Sequence, residues 1–132
     1  MNTNQTDLQY LLRSIEPEPS DRTYVFCTMP DERRDELERR AVLLFRQRES
    51  LTAVLPKTDA ERIGIDYAFP SRMITLAVHS SLDAVGLLAA MTQVLAQADI
   101  SVNVVSAFYH DHLFIPEHRA VEALQILSAL YE

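Results

Sequence analysis

The densest grouping of chemically capable side chains in this sequence is His110-Asp111-His112. Two histidines spaced i,i+2 on a strand point to the same face, and a third ligand would complete a zinc or iron site. The only other histidines are His79 and His118, and no CxxC or HExxH pattern accompanies them. The plainer reading is a polar turn between two strands, with Asp111 accepting hydrogen bonds from nearby backbone N–H groups. No bound metal is expected. A second grouping, His79, Ser80, Ser81 and Asp83, contains the elements of a nucleophilic triad. Such neighbours cannot take up triad geometry, because base and nucleophile must converge from different segments. No serine sits in a nucleophile elbow either. The chain has only two glycines, which excludes glycine-rich phosphate loops. Cys27 has no second cysteine and no sequence-adjacent histidine, so it reads as a buried, inert thiol. Neither an enzyme nor a cofactor is expected.

The serines are better suited to binding than to reaction. A strand-to-helix turn over Ser80–Gly86, with Ser80 or Ser81 capping, leaves N–H groups beside the positive end of a helix, which suits a carboxylate. Asp83 complements the same helix end. Gly86 lets a ligand approach the backbone, at a helix cost of about 1 kcal/mol relative to alanine. Asn103 carries an amide inside the apolar run Val102–Val105 and must find a partner. That partner is either a ligand or a group within the fold.

These residues depend on one continuous stretch, Arg72 to Pro116. Ile74, Leu76 and Val78 alternate with Met73, Thr75 and Ala77 as in a strand. A helix follows from Asp83 to Ala98, apolar or small at almost every position from Val85 on. We expect Leu87, Met91, Val94 and Leu95 buried in it and Gln93 and Gln97 towards solvent. Strands near 100–107 and 112–116 flank the polar hinge at His110-Asp111, and a helix from Glu117 to Leu130 closes the series. Strand, helix, strand, strand, helix is most of a βαββαβ unit.

Upstream, Asp7 to Ile15 spaces Leu8, Leu11, Leu12 and Ile15 as an amphipathic helix that would cover its own sheet or dock a partner. Glu16-Pro17-Glu18-Pro19 ends it. Thr23–Met29 reads as a strand and Asp31–Arg40 as a charged helix with Asp35/Arg39 and Glu36/Arg40 pairs. On periodicity alone this helix could run on to Arg48. A short helix from Asp59 to Ile63, capped by Thr58 or Asp59, ends near Gly64.

With 132 residues the chain forms one compact domain or two closely packed lobes, and its 48% hydrophobic content fits a globular protein. Net charge of −7 argues against nucleic acid, which is held by a clustered basic face. A single cysteine, no N-terminal secretion signal and no apolar run of about 18 residues fit a cytoplasmic protein away from membranes.

Three separated motifs in order, VHSSLDAVGL, ISVNVV and YHDHLFIP, resemble the small bacterial ACT-domain proteins over residues 22 to 130. The resemblance implies an α+β, ferredoxin-like fold: antiparallel sheet, helices on one face, an abbreviated N-terminal lobe (1–70) and a C-terminal lobe (71–132). It implies that Ala41–Gln47 and Leu51–Leu55 form a hairpin, although Ser50 stands where the family usually has glycine. It also implies binding of a small molecule, usually an amino acid, with no chemistry. In ACT modules the loop after the first strand and the second strand of a neighbouring unit form the site. Carried over, Ser80, Ser81, Leu82, Val85 and Gly86 match the loop, and Ser101, Asn103 and Val104 match the strand. The alternatives are an interaction module that has lost its ligand site or, further off, a metal-dependent enzyme using His110 and His112.

Counting strands gives six where two complete units need eight, so the C-terminal lobe should borrow its fourth strand from Thr23–Met29. With Ile74, Leu76, Val78, Val102 and Val104 turned to the helices, the opposite face carries Met73, Thr75, Ala77, Asn103, Val105 and Ala107. That set is apolar for a solvated surface, and Phe108, Tyr109 and Phe114 could add to it. A two-fold homodimer is the simplest expectation.

Overall fold

A computed structural model describes residues 16–76 and 86–131. The expected helix at 7–15, the strand residues Ala77 and Val78, and the turn from His79 to Val85 lie outside the described residues. The elements are β1 (Pro17–Met29), α1 (Arg34–Glu38), β2 (Leu43–Arg46), β3 (Leu51–Pro56), α2 (Lys57–Ile63), β4 (Ala68–Leu76), α3 (Leu87–Gln97), β5 (Asn103–Ser106), β6 (Asp111–Pro116) and α4 (Ala120–Ser128). A 3₁₀ turn leads into α1, others flank α4, and the strand order is β2-β3-β1-β4-β6-β5. This is the α+β, ferredoxin-like arrangement expected, with βαββα occurring twice. β1 is indeed the strand beside β4. The chain groups into two compact units, 21–72 and 1–20 with 73–132.

The unit of residues 21–72 is built on antiparallel pairing of β1 with β3 and of β3 with β2. Alternation turns Val25, Cys27 and Met29 of β1 and Leu51, Ala53 and Leu55 of β3 to one core, where Leu37 of α1 and Ala60 of α2 close over them. Helix α1 is only five residues long and does not run on to Arg48. Leu44, partly buried against this core, and the bond from Val42 N–H to Val54 O commit the segment to the sheet instead. The charge pairs also differ from expectation. Arg33 meets Glu36, Arg34 meets Glu38 at 2.9 Å, and Arg40 reaches Asp59 at 2.8 Å. Asp59 does not cap α2, whose N-cap position is Pro56 and has no side-chain cap. Buried in the first turn, it takes Arg40 and, at 3.4 Å, Arg62. Gly64 ends α2 with φ of 80°, as the sequence suggests.

The unit of residues 1–20 and 73–132 packs Ile74, Leu76, Leu113 and Ile115 against Leu87, Met91 and Leu95 of α3 and Ala123 and Leu127 of α4. Each large side chain removed from water here contributes about 1.5–3 kcal/mol. Val94, Val102 and Val104 are partly buried against the same core, while Gln93 and Gln97 are exposed. Helix α3 ends on Asp99, which takes a positive φ of 59° where glycine is usual. Ile100 N–H then bonds Leu95 O at 3.0 Å, and the buried Ile100 closes the end. The Arg119 guanidinium holds the same corner, donating to Ala98 O at 3.1 Å and Asp99 O at 3.2 Å.

Candidate ligand-binding site

Of the loop residues matched to the ACT site, Ser80, Ser81, Leu82 and Val85 lie outside the described residues, and so do His79 and Asp83 of the triad-like grouping. Gly86 is described, and its role is sharper than its residue type suggested. It is the N-cap residue of α3, with φ of 91° and ψ of −18°. That left-handed conformation is the physical reason for a glycine here, so the expected interior-helix penalty does not apply. Its carbonyl accepts the Ala90 N–H at 3.0 Å and starts the helix. No side chain of the described residues caps α3.

The strand residues lie elsewhere. Ser101 follows the far end of α3, whose 11 residues separate it from Gly86 by about 16 Å at 1.5 Å per residue. Ser101 and Gly86 therefore cannot touch one ligand within one unit. Asn103 is exposed on the outer strand β5, opposite Phe114. Water can satisfy its amide, so the expectation of an obligatory protein or ligand partner is withdrawn. Val104 is partly buried against the core, which leaves mainly its backbone available to a ligand.

The His110-Asp111-His112 grouping is not the turn. The turn is Ala107–His110, closed by Ala107 N–H to His110 O at 3.0 Å, and Asp111 already belongs to β6, opposite Ser106. His112 is bonded through Nδ1 to Thr75 Oγ1 at 2.9 Å, which ties the end of β4 to the start of β6. Its pKa is lowered, first by burial and then by neighbouring His110, with Asp111 pulling in the opposite direction. Among the described residues no three His, Cys, Asp or Glu side chains cluster as metal ligands. Cys27 is buried, and burial pushes its thiol up to about 11, far from a reactive thiolate.

The face away from the helices is less open than its composition suggests. Phe114 is only 2% exposed, and Met73, Thr75, Val105 and His112 are half-buried. The exposed aromatic area sits at the turn instead. Phe108 is 73% and Tyr109 65% exposed, their rings edge to face at 5.0 Å. At the opposite end of β5 lies a hollow of about 400 Å³, with Ala96, Ile100 and Pro116 on its apolar side and Asp99, Ser101 and His118 among its polar groups. Sequence reading missed this hollow, because it is built where the end of α3 and the β6–α4 junction converge.

Two antiparallel βαββα units on one chain define a ferredoxin-like α+β protein. ACT-domain family profiles match residues 3–72 and 68–129, and the chain belongs to the ACT-domain family. Its structure is similar to that of a Vibrio cholerae protein of unknown function, described as a possible transport protein. The two are 38% identical with a TM-score of 0.87, over 98% of this chain and 99% of that one. It is also similar in fold to an Agrobacterium tumefaciens protein (TM-score 0.69, 15% identity, 89% of each chain). A third similar fold is the ligand-free regulatory subunit of aspartate kinase from Thermus thermophilus (TM-score 0.67, 11% identity, 90% of this chain and 97% of that one). No curated protein sequence matches the chain. No described helix is long and apolar enough to cross a membrane.

Proposed function

We propose that this protein is a non-catalytic regulatory module that binds a free amino acid or a similar zwitterion and works as a homodimer in the cytoplasm. Membership of the ACT family supports the class, and the likeness to an aspartate kinase regulatory subunit supports the ligand type. The observation that carries the reading is Gly86, held at positive φ at the head of α3. A positive helix end whose N-cap residue carries no side chain is suited to a carboxylate. Ser80, Ser81, Leu82, Val85 and Gly86 supply the loop of the proposed site. Ser101, Asn103 and Val104 belong to it only if they come from a second unit, since α3 keeps Ser101 away from Gly86. That separation supports the dimer part of the reading. The proposed lobes are 1–70 and 71–132.

A thermal-shift screen of the free amino acids tests the reading. A specific ligand at a hundredfold excess over its Kd stabilises the fold by about 2.7 kcal/mol, several degrees of melting temperature. A screen in which none raises the melting temperature contradicts ligand binding and leaves an interaction module.

A further inference from the structure

Phe114 is a large buried side chain that does not belong to the core of its unit. It is 2% exposed, yet the cluster that joins Ile74, Leu76, Leu113 and Ile115 to α3 and α4 leaves it out. Alternation along β6 gives the reason. Leu113 and Ile115 turn to the helices, so His112 and Phe114 turn to the other face, where His112 meets Thr75 at 2.9 Å. Met73 shares that face on β4, and Val105 stands opposite His112 on β5. Met73, Thr75 and Val105 are half-buried, whereas Asn103, opposite Phe114, is exposed. Strand neighbours flank a ring, but only a layer stacked on the face takes its outer side from water. A layer therefore lies over β4 and β6 and leaves the edge at Asn103 open.

The chain ahead of β1 is placed to supply that layer. Residues 1–20 group with 73–132 and not with 21–72, although β1 continues through Met29. The bond from Ser71 Oγ to Tyr24 O at 3.2 Å sets Tyr24 beside Ser71 on the neighbouring strand. The grouping of residues 1–20 with 73–132 then requires β1 and β4 to run antiparallel, which brings Pro17 level with the C-terminal end of β4. Only Glu16 separates Pro17 from Ile15. The stretch before it has the residues of an amphipathic helix. Leu8, Leu11, Leu12 and Ile15 form one stripe, Thr6 and Gln9 have the spacing of a capping box, and Asp7 and Arg13 complement the helix dipole. A helix over 7–15 is about 13 Å long, enough to cross the roughly 10 Å from β4 to β5.

We infer that residues 7–15 form a helix seated on this face, with the leucine stripe over Met73, Thr75, His112 and Phe114. The sheet of the C-terminal unit then carries α3 and α4 on one face and the N-terminal helix on the other. The face whose composition suggested an interface is covered within one chain and is closed to a second copy. The seat is independent of the ligand reading, because it lies on the side of the sheet away from α3.

The test is hydrogen–deuterium exchange of the full chain, read by mass spectrometry, with sedimentation at the same concentrations. In wild type, the amides of residues 8–15 should exchange at least about tenfold more slowly than unstructured chain, down to concentrations at which single chains sediment. Leu8→Asn/Leu12→Asn removes half of the stripe and should return these amides to the unstructured rate, while α3 and α4 keep their protection. Phe114→Ala should release the segment from the other side of the contact, with Met73→Ser in its place if that variant fails to fold. Arg13→Gln, opposite the stripe, should leave the segment protected. Residues 8–15 exchanging at the unstructured rate in wild type overturn the inference. Protection that survives the change in the sheet face while α3 and α4 stay folded also overturns it. Protection that appears only as chains associate does the same, and assigns the face to a second copy.

Discussion

The two units follow one βαββα plan and differ in where they leave it. In the unit of residues 21–72 the departures are polar and local: charged hairpin residues Arg48 and Glu49, a buried Asp59 held by Arg40 and Arg62, and a glycine at the end of α2. In the other unit they are apolar or strained: Phe108 and Tyr109 in a turn, an uncharged outer strand, Asp99 at positive φ, and Gly86 turning the chain into α3. Departures from local preference that bring the fold nothing are expected at sites of function. The difference agrees with the proposed reading, which places the ligand loop in the second unit.

The largest effect lies in the cores. Leu95 of α3 and Leu37 of α1 are both fully buried, one in an 11-residue helix and one as the buried residue of a five-residue helix. Leu95→Ala and Leu37→Ala should each lower stability by about 2–5 kcal/mol in chemical denaturation. A loss below half a kilocalorie for either would place its helix on the surface. The two helix ends come next. Gly64 has positive φ and no atoms near where a Cβ would stand, so Gly64→Ala measures conformational strain alone, about 1 kcal/mol. Asp99→Gly should act in the opposite direction by up to about 1 kcal/mol, while Arg119→Met should loosen the corner that holds Asp99. An Asp99→Gly variant no more stable than wild type would show that Arg119 already removes the strain.

The pH dependence separates the units further. His112 has a folded pKa below its ordinary value near 6.5. The unfolded chain therefore takes up its proton first as the solution is acidified. Stability is full above that value and falls as pH drops from there towards the lowered folded pKa. His112→Gln, able to keep a bond to Thr75, should flatten that decline, and unfolding curves between about pH 7 and 5 check it. An unchanged decline would assign the pH dependence to other groups. The smallest effect is that of the turn exchange Phe108→Arg/Tyr109→Glu on the monomer, within about 0.5 kcal/mol of wild type because both positions are exposed.

Much of this was legible in the residues. Alternation in Ile74–Leu76 and in Val25–Met29 fixed the faces, and the spacing of Leu87, Met91 and Leu95 fixed the buried stripe of α3, because both are local geometry. The end of α1 was not legible from its period: pairing of β2 with β3 overrides local helical preference, and pairing is a property of the whole sheet. The turn was misplaced by two residues because His110-Asp111 carries polar turn residues and Phe108-Tyr109 does not. Gly86 was identified from its type, but the positive φ that explains it comes from the backbone. The hollow could not be read at all, since Ala96, Ile100, Pro116 and His118 meet only through tertiary packing.

Calorimetric titration of the amino acids into wild type and Gly86→Asn tests the central claim most directly. Asparagine tolerates positive φ, so the helix start persists while a side chain enters the space in front of it. The account predicts saturable binding of one amino acid, or of a few related ones, to wild type, and loss of that heat in Gly86→Asn with the melting temperature of the free protein little changed. Binding of the same amino acid with equal affinity to both proteins would contradict it.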